Sequence, residues 1–409
     1  MKHLPRFDLE HTPIMGAKHA KFRGLRSVDI CSGLGGFSIA ARLLGMKPIA
    51  AADVWQNAAD VYQQNFPEAD FTVGDVTSEA TLATIAEGAR SNGGCDIMTA
   101  GPPCQGFSQM RNGRHNVSDP RNEVSRHMPK AVAALEPRAF IIENVPAIFD
   151  HQKGAFAARL LQALRRPKKG LRYHVHKAVY DAALFGVPQQ RRRGFIIGMQ
   201  HGEGEISLPH LPEISWYFTA RRRNLPVNGY SDDITRILED PEDLRLVSVK
   251  QALGDLPTLG AGAGEEARPY RMPAASAYQR ALRGRKRMIM NTATPRILDV
   301  TANRLKKLKP GECVTDLPEP TRRSLSRRFM SAYRKLHPEL PSTTLFTKID
   351  CAYHPSAIRA LSVREYARLQ SIPDSFEFPG APRNAYAMIG NAVPPLLAAS
   401  LLKQAIQLG

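Results

Sequence analysis

The chain has few cysteines, a shortage of acid and no long apolar run. Five cysteines among 409 residues, with no CxxC spacing, argue against a disulfide framework and against a thiolate zinc site, so reduced thiols and no metal are expected. No apolar stretch approaches the roughly 18 residues needed to cross a bilayer. Met1 to Lys21 is polar, with scattered His and Lys in place of the apolar core of a leader. The expectation is a soluble, cytoplasmic protein. Lys and Arg number 56 against 38 acidic residues, giving a net charge of +18 and a pI near 9.9. Such an imbalance points to a polyanionic partner, nucleic acid first. There is no internal repeat and no extended low-complexity tract.

What is present is an alternation of strand-like and helix-like segments. Leu25 to Ile30 is an apolar strand, followed by Cys31-Ser32-Gly33-Leu34-Gly35-Gly36-Phe37 and a helical pattern through Leu44. Glycines in such a turn let the backbone approach a ligand that faces the helix amides. A second strand, Lys47 to Ala52, ends in Asp53, about 20 residues beyond Gly33, where a carboxylate can accept two ribose hydroxyls. The site suits an adenosine cofactor. The full GxGxxG is absent because Ser38 stands at its last position, which disfavours a hydride-transfer cofactor. A third strand, Phe71 to Val73, leads to Asp75, which either meets the adenine or caps a turn.

The stretch that organises the rest is Gly101-Pro102-Pro103-Cys104-Gln105-Gly106-Phe107-Ser108, directly after the apolar run Cys95 to Ala100. Two prolines fix the backbone before the thiol and Gly106 lets it bend after. A strand's carboxyl end is where open α/β sheets hold ligands. Gln109 to Asn122 reads as a long polar loop, of a kind that often serves as a lid. A helix from about Glu123 to Leu135 and a strand from Arg138 to Ile142 then deliver Glu143. A carboxylate in such surroundings is costly unless it is used or paired. Tyr173 to Val179 and Gly194 to Met199 read as further strands. Between them lies Gln189-Gln190-Arg191-Arg192-Arg193; in extended structure Arg191 and Arg193 share a face.

Beyond Met199 the alternation fades into a segment rich in Pro, Gly and basic clusters, among them Arg221 to Arg223, Arg283 to Arg287 and Arg327-Arg328. Interleaved with Tyr217, Tyr230, Phe329 and Tyr333, they suit phosphate contacts beside base contacts. Order returns at Leu361 to Gln370, where Ser362 and Glu365 form a capping box, and in a last helix from about Pro395 to Gln407.

In this order the segments resemble the cytosine-C5 DNA methyltransferase family, from Asp29 to Ala398 with the middle unmatched. Gly33 to Gly36 resembles its S-adenosylmethionine turn and Gly101 to Ser108 its nucleophile loop. Glu143-Asn144-Val145 matches its ENV tripeptide, and Gln189-x-Arg191-x-Arg193 its QxRxR motif. Arg364-Glu365 with Arg368 to Gln370, and Gly390 to Val393, look like its closing motifs. Three positions depart from the pattern: Cys31 stands where an aromatic residue is common, Asp53 where Glu is, and Val54 where an aromatic residue is frequent.

The resemblance implies an α/β, Rossmann-like S-adenosylmethionine-dependent methyltransferase sheet with an inserted target-recognition domain. The expected division is 1–204 for the catalytic domain, 205–345 for recognition and 346–409 for a segment completing the first. Cys104 would attack C6 of a flipped-out cytosine, Glu143 would stabilise charge at N3, and Arg191 would hold O2, with Arg193 in the same catalytic group. Asp29, Cys31, Gly33, Gly35, Gly36, Asp53, Val54, Asp75, Pro102 and Asn391 would line the S-adenosylmethionine site. Gln105, Ser108, Arg121 and Thr344 would meet double-stranded DNA, Thr344 near the place the flipped base has left. A monomer is expected, with a cognate restriction endonuclease acting separately if the enzyme protects DNA. An RNA cytosine-C5 methyltransferase and a catalytically silent DNA-binding protein are the alternative readings.

Overall fold

Short apolar runs bounded by turn residues become a seven-stranded sheet in the order β3-β2-β1-β4-β5-β7-β6. The computed structural model describes residues 22–103, 122–201, 246–264, 266–319, 321 and 333–407. Strands β1 (Arg26–Ile30), β2 (Lys47–Asp53), β3 (Asp70–Val73), β4 (Ile97–Ala100) and β5 (Ala139–Asn144) run parallel. At one edge β7 (Arg192–Gln200) lies antiparallel between β5 and β6 (Tyr173–Asp181). Helices α1 (Gly36–Leu43) and α2 (Gln56–Asn65) cover one face, and α3 (Glu79–Ser91), α4 (Asn122–Leu135) and α5 (Ala155–Arg165) the other. Because both faces are covered, the central strands are apolar almost throughout rather than alternating. The strand order reverses between β1 and β4, so a crevice is expected at their carboxyl ends.

Two boundaries differ from the sequence reading. The strand expected over Arg138 to Ile142 continues to Asn144, because β7 pairs with it as far as the Asn144–Gly194 register. Glu143 therefore sits inside a strand, not after one. Helix α4 begins at Asn122, one residue early; the preceding loop to Arg121 lies outside the described residues.

Beyond the sheet come α6 (Val249–Leu253), β8 (Ala267–Pro269), α7 (Ala277–Arg283), β9 (Met288–Met290), α8 (Asp299–Lys307), β10 (Arg334–Lys335) and β11 (Ala352–Tyr353). Val249, Leu253, Tyr278, Leu282 and Ile289 join the core beneath α1 and α2. Leu305, Leu308, Val314 and Leu317 form a smaller cluster with Tyr353 and Ala360. The chain closes with α9 (Val363–Leu369), α10 (Pro382–Asn391) and α11 (Pro395–Gln407). The span Pro382–Ile406 is apolar enough to cross a membrane by length and composition, but its most apolar window is 83% buried inside the protein. It is two core helices separated at Pro394.

Helix α9 opens on the expected capping box, Ser362 with Glu365. Around it three arginines, Arg359, Arg364 and Arg368, are wholly buried. Arg359 makes a two-pronged pair with Glu365, both bonds at 2.7 Å. Arg368 donates to Asp374 and, at 3.0 Å, to Asp255. Arg364 donates to the carbonyls of Met290, Pro373 and Phe376. Buried cations persist only when so paired; these bonds fasten three distant segments to one short helix.

Candidate active site

The turn between β1 and α1 is built from left-handed backbone: φ is 52° at Cys31, 53° at Gly33 and 91° at Gly35. Gly35 then caps α1, which has no side-chain cap and no acid in its first turn. The Ser38 N–H of that first turn is taken by the buried Asp29 carboxyl, which leaves the earliest amides and the positive dipole end for a ligand. Asp53, ending β2, accepts the Gly33 N–H at 2.9 Å and the Trp55 N–H at 3.0 Å. Its carboxylate is thus held at the turn with lone pairs to spare, and burial pushes its pKa up. Val54 beside it is 65% exposed, an open apolar surface.

The closing segment shuts this turn from the other side. A β-carbon at Gly36 would overlap the Val393 carbonyl oxygen, and one at Gly390 that of Phe346. Those approaches bring Asn391, exposed at the end of α10, next to the turn. Asp75 is exposed and caps its turn by accepting the Thr77 N–H at 2.9 Å through Oδ1. Asp29 needs correction. Its carboxyl is 2% exposed and lies between the hydroxyls of Ser38 at 2.8 Å and Thr99 at 3.0 Å, with Tyr62 bonded to Ser38. Burial pushes it up to about 7. It locks the turn from beneath and does not face a ligand.

Cys104, Gln105, Ser108 and Arg121 lie outside the described residues. The chain leading to Cys104 is fixed up to Pro103: Gly101 N–H bonds the Ile30 carbonyl at 3.1 Å, and Asn144 Nδ2 donates to the carbonyl of the buried Pro102 at 3.3 Å. Next to Asn144, Glu143 is 6% exposed, with Oε1 2.9 Å from Arg193 Nε. Desolvation raises its pKa, against the opposing pull of Arg193 and Arg191. A carboxyl so placed is poised to hold or share a proton.

Arg191 also needs correction. It is 1% exposed, and its guanidinium donates to the carbonyls of Leu345 at 3.2 Å and Gly390 at 2.8 Å. It clamps the closing segments, and the arginine beside Glu143 is Arg193, whose side chain keeps 14% exposure. The alternation expected from the sequence holds, with Arg192 exposed between the buried Arg191 and the half-buried Arg193, although Arg191 itself precedes β7.

Residues 342–345 run along 188–191. Ser342 N–H bonds Pro188, Gln190 N–H bonds Ser342, and the Thr344 hydroxyl donates to the Gln190 carbonyl at 2.7 Å. Gln189, fully buried, accepts the Leu345 N–H at 3.0 Å, donates to the Leu369 carbonyl and meets Gln370. Sequence reasoning gave no role to Gln189, Asn144 or Gln370. The available signal was their place inside the motifs already singled out, and a buried amide there must find partners.

Comparison with known proteins agrees with this arrangement. Residues 25–407 match a family described as C-5 cytosine-specific DNA methylase. The type II methyltransferase M1.HphI of Haemophilus parahaemolyticus is 28% identical over 385 residues, covering 94% of this chain and 87% of its own. The type II methyltransferase M.AgeI of Thalassovita gelatinovora is 27% identical over 430 residues, covering 91% and 97%. Among solved structures, an E. coli prophage protein described as a DNA modification methyltransferase shares the fold at a TM-score of 0.69 and 24% identity. That match covers 94% of this chain and 99% of the other.

Proposed function

Since the chain belongs to the C-5 cytosine-specific DNA methylase family, we propose that it methylates a flipped-out cytosine through a covalent bond to Cys104. C5 of cytosine is a weak nucleophile and needs activation. A thiolate from Cys104 adds to C6, pushing electrons toward N3 and making C5 nucleophilic. Glu143, its pKa raised by burial, holds the proton or hydrogen bond at N3 that stabilises the developing charge. Arg193, at 2.9 Å from Glu143, orients that carboxyl and takes the O2 position that sequence reasoning gave to Arg191. Loss of the C5 proton with release of Cys104 restores aromaticity. The observation that carries this reading is the Glu143–Arg193 pair standing beside the anchored strand end that leads to Cys104.

S-adenosylmethionine, when bound, supplies an electrophilic methyl group. The residues fit it: an uncapped helix start, a left-handed glycine turn and an Asp53 carboxylate with free lone pairs at the end of β2. Gly33, Gly35, Gly36 and Asp53 would hold it, with Val54 and Asp75 toward the adenine and Cys31, Pro102 and Asn391 around the rest. The target base leaves the duplex at a cost of a few kcal/mol, and Gln105, Ser108 and Arg121 meet the DNA it leaves. Base selection belongs to 205–345, with Thr344 near the vacated position. The type II names of the relatives favour a protective enzyme of a restriction system beside a separate endonuclease; one chain carrying both catalysis and recognition would act as a monomer, on DNA in the cytoplasm.

A duplex carrying 5-fluorocytosine tests the covalent step, because fluorine at C5 cannot leave as a proton does. Wild type with S-adenosylmethionine should form a complex that survives denaturation, and Cys104→Ser should form none. A complex that persists without Cys104 would refute the thiol's role.

A further inference from the structure

β4 ends at Ala100, and Pro102 and Pro103 beyond it have no N–H with which to continue a ladder toward β5. On the β1 side the backbone still holds this stretch, Gly101 N–H bonding the Ile30 carbonyl at 3.1 Å. On the β5 side a side chain takes over: Asn144 Nδ2 donates to the Pro102 carbonyl at 3.3 Å. The amide is held one way round. Its Oδ1 accepts the Val145 N–H at 2.8 Å, and a donor at one end with a carbonyl at the other admits a single orientation. Neither an acid nor an apolar side chain of this size could serve both partners. Asn144 is 2% exposed and Pro102 is buried, so losing the bond would leave a buried carbonyl short of a donor.

The place of this amide matters for the chemistry. Nδ2 also lies 3.5 Å from the hydroxyl oxygen of Ser125, which is wholly buried in the first turn of α4. Asn144 therefore touches the chain on both sides of the segment that holds Cys104, just before the thiol and where the next helix begins. It also follows Glu143 directly in β5. The acid and the anchor are one strand step, about 3.3 Å, apart.

We propose that Asn144 is a positioning residue for the thiol: it fixes where the chain enters Cys104 relative to Glu143, so that C6 and N3 of one base are met together. The proposal rests on the covalent function given above. Asn144 acts through Pro102 and touches no reacting atom. A misplacement on the order of 1 Å at such a site can cost about 10²-fold in rate.

The test follows formation of the covalent complex between the full chain and a 5-fluorocytosine duplex, in single turnover with S-adenosylmethionine, across a range of pH. Asn144→Leu keeps the volume and removes the donor; Asn144→Asp keeps an acceptor for Val145 but sets a second acceptor against the Pro102 carbonyl. At neutral pH both should form the complex about 10²-fold more slowly than wild type, with calorimetric affinity for S-adenosylhomocysteine unchanged. As pH falls, the buried carboxyl introduced by Asn144→Asp takes up a proton and regains a donor for Pro102. Its rate relative to wild type should then climb, while the ratio for Asn144→Leu stays level. Wild-type rates in both variants, cofactor affinity lost in step with rate, or a ratio for Asn144→Asp that ignores pH would overturn the proposal. Should the variants be too unstable at neutral pH, Asn144→Asp carries the test at the acid end of the range, where a folded chain no faster than Asn144→Leu or slower by the full neutral-pH factor would overturn it. Absence of the complex in wild type would instead count against the covalent function itself.

Discussion

Two arginines two positions apart have opposite duties, and the difference is energetic. Arg191 satisfies two buried carbonyls, and orphaning each costs about 1–3 kcal/mol. Arg191→Ala should therefore lower the unfolding free energy by several kcal/mol, read by denaturant titration. Arg193→Ala should leave the melt nearly unchanged while lowering kcat about 10²-fold or more, since it removes orientation of the acid beside N3. The reverse pattern would return Arg191 to the base. Asp29 makes a pH prediction. Its folded pKa is about 7 against an unfolded value near 3.8, so between those values the folded state binds the extra proton and stability falls as pH rises. Asp29→Asn should flatten that fall between about pH 4 and 7, measured by denaturation midpoints; parallel curves for the two proteins would show that Asp29 does not titrate there.

At the scale of elements, the sheet, its turn and the capped helix α9 were legible because each follows from a local rule. Apolar runs end at glycine or charge, and Ser362 with Glu365 marks a helix start whatever surrounds it. The misread points are those decided by partners far along the chain. Glu143 was taken to follow its strand, because only pairing with β7, some fifty residues later, extends β5 to Asn144. Arg191 and Arg193 do share the inward side of their run, but Arg191 is taken by the carbonyls of Leu345 and Gly390, partners far along the chain. Likewise the contact of α10 with residue 346 is invisible in either segment alone. It makes Gly390→Ala a test of element docking: the added methyl meets the Phe346 carbonyl. The substitution should cost about 1–3 kcal/mol and weaken S-adenosylmethionine binding in calorimetry. Wild-type affinity and stability together would show that α10 does not depend on that approach.

For the whole molecule, the net charge of +18 was readable as a polyanion partner before any fold was known. How the charge is divided was not readable. The middle of the chain carries no period from which a fold could be read, yet part of it, from Val249 to Ile289, packs into the catalytic core through Arg368, Asp255 and Tyr278. Composition places basic residues in a segment; only packing says which end of the molecule they occupy. Cys104 was singled out in the sequence by its prolines and glycine, and the described residues that lead to it, Gly101 to Pro103, lie at the strand-order switch beside Asn144.

The most direct measurement is transfer of labelled methyl from S-adenosylmethionine to mixed-sequence duplex DNA, wild type beside Cys104→Ser, with modified positions mapped by sequencing. The account predicts label confined to cytosine C5 within one short motif, and none from the variant. Label on another atom, or undiminished transfer by folded Cys104→Ser, would contradict it.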